Sequence, residues 1–250
     1  MSDQVFVVRR ATTEVELYDS NTLKLTSRIP VDGLVDPWDM TSCRKFRCLY
    51  IADLYTREIH RVELNGATTR WKVTDEPDAL SVTLDPDYHV LVTFCDAHKL
   101  NEFTTNGTLV REILLQEDMV YPQHAIQFDG QFIVSHGIDS DQLNRVCIVS
   151  STGHVTRCYG GPAGSAAGQL NIPRHLAVDG QGNVIVADCI NKRVLLLNNM
   201  LDYVGELVST RNSYRPKLFP ERLCLNISRG RLFVADFSHR NVLVFQVRNG

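Results

Sequence analysis

The chain has 250 residues, 44% hydrophobic and 22% charged, with a formal net charge of −3. That is enough apolar sequence for one soluble all-β domain over 1–250, and too little positive charge for indiscriminate nucleic-acid binding. No apolar run approaches the roughly 18 residues of a membrane span, and MSDQVFVVRRATTE lacks the basic opening and long apolar centre of a cleavable signal, so a cytoplasmic location with no membrane partner is expected.

Taken in order, the chain opens on three short apolar runs, Val5–Val8, Val15–Tyr18 and Leu23–Ile29, which read as the second, third and fourth strands of a unit without its first. A fuller unit then recurs after Pro37, Pro77, Pro122, Pro173 and Pro220, at steps of 40, 45, 51 and 47 by subtraction. Its clearest copy is LNIPRHLAVDGQGNVIVADCINKRVLLL, Leu170 to Leu197. There the first three strands are His175–Val178, Val184–Ala187 and Val194–Leu197, separated by the turn chemistry of Asp179–Gly182 and Cys189–Lys192. The second strand ends at Asp53, Cys95, His136, Asp188 and Asp236 in successive units. A fourth strand fits Thr69–Val73, Leu109–Leu114, Val155–Tyr159 and Tyr203–Leu207, and the last unit stops after its third, Val242–Val247. Four strands repeating at this interval are the signature of a β-propeller, here six-bladed with incomplete first and last blades. The seam between those two blades is a candidate for self-association, because an unpaired strand edge invites another strand.

The phrase P-x-x-L-A-V-D…G-x-V-x-V-A-D…N-x-R-V in Pro173–Val194 resembles an NHL repeat, with IAD and VAD recurring before Arg57 and Arg240. In the other units the position of Asp188 is held by Arg9, Phe94 and His136. The resemblance is to the NHL propellers of tripartite-motif ubiquitin ligases, and it implies an interaction module that binds a protein or RNA partner on one face. The charge distribution suits such a face. From Arg174 onward there are 11 Lys+Arg against 6 Asp+Glu, leaving 15 against 23 in the first 173 residues. Arg193, Arg211, Arg215, Lys217 and Arg240, with Arg222, form a predicted basic edge for RNA phosphates or an acidic partner.

Two residues past each proline, one innermost-strand position reads Asp39, Ala79, His124, His175 and Arg222. Two imidazoles and a carboxylate in matching register could hold zinc or another divalent ion such as calcium; no cofactor is otherwise required. PQHAIQF and PRHLAV are also similar to segments of the peptidylglycine-amidating lyases, a resemblance that implies an axial metal held by His124 and His175. The alternative function is therefore a small-molecule lyase or hydrolase, with Arg222 orienting an anionic substrate and His136, Tyr121 or Tyr55 moving a proton. The bland reading of the same ring is a set of polar residues hydrogen-bonded within the channel.

Seven cysteines are expected mainly as buried thiols; Cys43 and Cys48, flanking the basic turn Arg44–Arg47, are candidates for a hairpin disulfide or two free thiols. GGPAGSAAGQ, Gly160–Gln169, reads as a mobile loop between blades. No nucleophile elbow, zinc-protease helix, phosphate loop or dinucleotide turn occurs.

Overall fold

The computed structural model describes residues 4–83, 86–139, 141–209 and 218–247. They fold into six antiparallel sheets, the blades of a β-propeller, with a single 3-10 turn at Ile227–Arg229. Two compact units divide the chain, Met1–Ile113 and Leu114–Gly250, each carrying three successive sheets. In the first unit these are β1 (Gln4–Val8), β2 (Glu14–Asp19) and β3 (Leu25–Pro30); β4 (Pro37–Cys43), β5 (Cys48–Asp53), β6 (Glu58–Glu63) and β7 (Thr68–Lys72); and β8 (Ala79–Val82), β9 (Val90–Phe94), β10 (Lys99–Phe103) and β11 (Leu109–Leu114). In the second they are β12 (Pro122–Phe128), β13 (Gln131–His136), β14 (Leu143–Val149) and β15 (Val155–Pro162); β16 (Pro173–Val178), β17 (Val184–Asp188), β18 (Arg193–Leu197) and β19 (Tyr203–Ser209); and β20 (Pro220–Asn226), β21 (Arg231–Asp236) and β22 (Asn241–Gln246). The first and last sheets have three strands each, as the sequence pattern implies.

Second strands are apolar on both faces because a sheet packs on either side. In β5, Leu49 and Ile51 meet Val15, Leu17 and Val62, whereas Tyr50 and Ala52 meet Ile59, Leu80, Val90 and Val92. In β17, Val184 and Val186 pack with Ile133, Val146 and Ile148 of the fourth blade, and Ile185 and Ala187 with Leu223, Leu232 and Val234 of the sixth. Period-2 alternation thus sends each strand into two cores, and each fully buried aliphatic side chain contributes about 1.5–3 kcal/mol of transfer free energy. Fourth strands cover only one face; β11 is largely exposed, its sequence LVREIL burying Ile113.

Two features differ from the sequence reading. Strand β15 continues through Gly160, Gly161 and Pro162, so the Gly-rich segment begins as sheet. The remainder is pinned: Gly164 N–H donates to the Leu170 carbonyl, Asn191 Nδ2 donates to the Gly164 carbonyl, and Ala166 N–H donates to Gln169 Oε1. Among the cysteines, Cys147 and Cys158 form a disulfide across β14 and β15, a pairing the strand assignment alone does not reveal. Cys43 and Cys48 lie opposite each other and remain two buried thiols.

Candidate functional site

The innermost strands share a local irregularity that fixes their polar residues. In β4, β12, β16 and β20 the register slips between the proline and the residue two further on: Pro173 pairs with Asp188, but His175 pairs with Ala187. This β-bulge turns the proline and the following ring residue to opposite faces of the sheet. The ring residue consequently meets the next blade. Asp39 Oδ2 accepts the Leu80 N–H at 2.8 Å, His124 Nδ1 accepts the Leu176 N–H at 3.2 Å, and His175 Nδ1 accepts the Leu223 N–H at 3.4 Å. The first bond lies within the first unit and the other two within the second. In all three cases the donor is the residue directly after the next blade's ring position, so one side-chain-to-backbone link recurs with two chemistries.

The structure brings His124 and His175 together. Their rings stack with centroids 3.8 Å apart and 17° between planes, and both residues are buried. Burial first, then His124 and Arg222, lower the His175 pKa well below the ordinary imidazole value, so this ring is neutral at physiological pH. A backbone N–H can only donate, so each Nδ1 carries the lone pair and a neutral ring carries its proton on Nε2. That bears on a metal. A neutral imidazole has one lone pair, and here it is turned to a peptide N–H; an ion would require the ring to release that bond or to lose its second proton. Zinc would therefore have to displace a backbone donor from each imidazole, and calcium, which takes oxygen ligands, suits these rings less well.

His136 and Arg193 serve the blades. Asp188 accepts the Asn171 N–H at 2.7 Å, Asn191 Nδ2 at 2.9 Å and Arg193 Nε at 2.7 Å. Asp53 and Asp236 repeat the arrangement on the backbone N–H groups of Val35 and Thr56, and of Phe219 and Ser238. His136 holds the same position in the fourth blade: Arg145 Nε donates to its Nε2 at 3.0 Å, and Arg145 Nη2 pairs with Asp118 at 2.7 Å. Burial and then Arg145 push the His136 pKa down to about 4. Arg193 corrects the predicted basic edge, because the residue is 7% exposed and its guanidinium is spent on Asp188, the Gln169 carbonyl and Glu206. Arg240 is exposed and Arg222 half-buried, its Nη1 donating to the Glu221 carbonyl. Arg211, Arg215 and Lys217 lie outside the described residues.

Sequence reasoning offered Tyr55 only as a proton-transfer candidate and missed Ile190 and Phe237, which are displayed after the second strands. Tyr55 lies two residues past Asp53 and is 79% exposed, Ile190 lies two past Asp188 and is 43% exposed, and Phe237 comes directly after Asp236 and is 65% exposed. A cation in left-handed backbone closes each of these turns: Arg57 at φ 54, Lys192 at φ 57 and Arg240 at φ 52. Apolar residues inside turn sequences were the available signal, since turns ordinarily carry polar ones.

No family model and no curated protein matches the chain. Solved structures do. Hydrazine synthase of Kuenenia stuttgartiensis is 14% identical, with 98% of this chain and 92% of that one covered at a TM-score of 0.69. A Bacteroides caccae protein of unknown function is 12% identical, with 97% and 89% covered at 0.71. Virginiamycin B lyase from Staphylococcus aureus, in a catalytically inactive histidine-to-alanine form with quinupristin, is 10% identical, with 98% and 77% covered at 0.69. At such identities the likeness is one of fold.

Proposed function

We propose that this propeller is an interaction module that binds a protein partner through the turns following its second strands. The observation that carries the reading is the display of one exposed apolar side chain and one turn cation in two blades of the second unit, at Ile190 and Lys192 and at Phe237 and Arg240; the first unit carries a pair of its own at Tyr55 and Arg57. Such pairs suit an extended segment bearing aromatic and acidic residues, and exposed aromatic and Arg side chains are where binding energy concentrates. The polar residues of the innermost strands, by contrast, already accept backbone bonds. An array of aromatic and acidic peptides tests the idea: Ile190→Ser and Phe237→Ser should each weaken binding of the retained sequences at least about tenfold, a loss of about 1.4 kcal/mol. Undiminished binding in both variants, or retention of no peptide, would overturn it.

A second reading is a small-molecule lyase or hydrolase with a divalent metal on the propeller axis. Its support is the stacked His124–His175 pair and the virginiamycin B lyase among the solved structures, which is catalytically inactive when one histidine becomes alanine. It requires both rings to abandon their backbone donors. Stoichiometric zinc in purified protein, lost in His124→Ala/His175→Ala, would put this reading ahead.

A further inference from the structure

The Cys147–Cys158 disulfide has two unlike sulfurs. Cys147, on the third strand of the fourth blade, is fully buried; Cys158, opposite it on the outermost strand, is partly open to solvent. Behind the buried sulfur lies charge. Cys147 Sγ is 3.8 Å from His136 Nε2, the nitrogen that accepts Arg145 Nε–H at 3.0 Å, and Arg145 precedes Cys147 by two residues on the same face of β14. Arg145 shares its charge with Asp118, which is 52% exposed. One cysteine is thus partly exposed, and the other has a guanidinium close behind it, next to the His136 imidazole.

We propose that this bond is a thiol-exchange site at which a small external thiol becomes attached to Cys158. The external thiolate attacks the accessible Cys158 sulfur, the Cys147–Cys158 bond breaks, and a mixed disulfide forms on Cys158. The electron pair of the broken bond stays on Cys147 as a thiolate. One S–S bond is exchanged for another, so no separate oxidant or reductant enters; the Cys147 thiolate then takes a proton from water or returns to expel the added thiol. Direction follows from access, since the attacked sulfur belongs to the partly exposed cysteine, and the nearby Arg145 charge offsets part of the cost of leaving a buried thiolate on Cys147. The opposed pair Cys43 and Cys48 is closed to such a reagent, because both side chains are buried. Exchange at Cys158 would also release the only covalent hold on β15 among the described residues, the strand that leads into the Gly160–Gln169 segment.

Reduced glutathione under anaerobic conditions, with acid quenching and peptide mass spectrometry, is the test. The adduct is expected on Cys158, with Cys147 appearing as the free thiol. Arg145→Met should slow its formation about three- to tenfold, while Arg145→Lys, which keeps the charge, should recover most of the rate. The two variants separate a charge effect from a folding defect, and unfolding curves for both check that the blade is intact. An adduct on Cys147, rates independent of the charge at position 145, or alkylation of both cysteines without any thiol treatment would each overturn the proposal.

Discussion

Asp188 is a buried carboxylate with three donors, and its removal leaves buried Arg193 with only a 3.4 Å contact to Glu206 to balance its charge. Breaking such a pair from one side costs more than the pair itself contributes. Asp188→Ala is accordingly expected to lower unfolding stability by roughly 3 kcal/mol or more, measured by urea unfolding, with a smaller loss for Asp188→Asn. His136, in the same blade position, behaves differently because it is held neutral. Its pKa is about 4 in the folded protein against an ordinary 6.5, so between these values the unfolded chain binds more protons than the folded one. Stability is therefore complete above about pH 6.5 and declines as pH falls toward 4, by up to about 3 kcal/mol from this residue. His175, also lowered, acts in the same direction. Melting temperature followed against pH should flatten over that interval in His136→Gln; a profile unchanged from the parent would remove His136 as its cause.

The elements show where local sequence stops determining geometry. Apolar runs and turn residues locate strands such as Leu109–Leu114 and Tyr203–Ser209 to within a residue or two, although β15 runs three residues past its predicted end. A bulge inserts one residue without changing composition. The turn of His124 and His175 toward the next blade was therefore hidden, and so was the Cys147–Cys158 pairing, which follows a register shift at Ile148. Gly160 was hidden for a related reason: its glycine chemistry suggested a loop, whereas the structure uses it inside β15. There φ is +104, and a Cβ would meet the Asn144 carbonyl oxygen and lie 3.0 Å from Arg145 Cα. Gly160→Ala is expected to destabilise by about 2 kcal/mol or more, through both the backbone conformation and the contact. Gly161 is the control. An added Cβ there has nothing within 4 Å, and Gly161→Ala should unfold close to the parent midpoint.

At the scale of the whole molecule, the repeat made the propeller legible, while the site depended on which polar residues the blades consume. Arg193 and His136 looked available in sequence and are engaged by their neighbours; Phe237 and Ile190 looked like filler and are exposed. If scaffold and display are separate, a variant can remove one and spare the other. Arg57→Glu, Lys192→Glu and Arg240→Glu together reverse three turn cations, of which Arg57 has an exposed pair with Glu76 at 3.3 Å and Lys192 lies 5.1 Å from the Phe219 ring centroid. Each should cost no more than about 1 kcal/mol of stability, because exposed pairs and cation–π contacts are individually weak. Binding of the retained acidic peptides should nevertheless be lost, and in the parent protein it should weaken as salt rises. A random RNA pool discriminates the other macromolecular partner: three phosphate contacts on single strands would give a log–log salt slope of about −2, abolished in the triple variant. Peptide and RNA binding both unchanged by the reversals would mean that these turns do not carry the interaction.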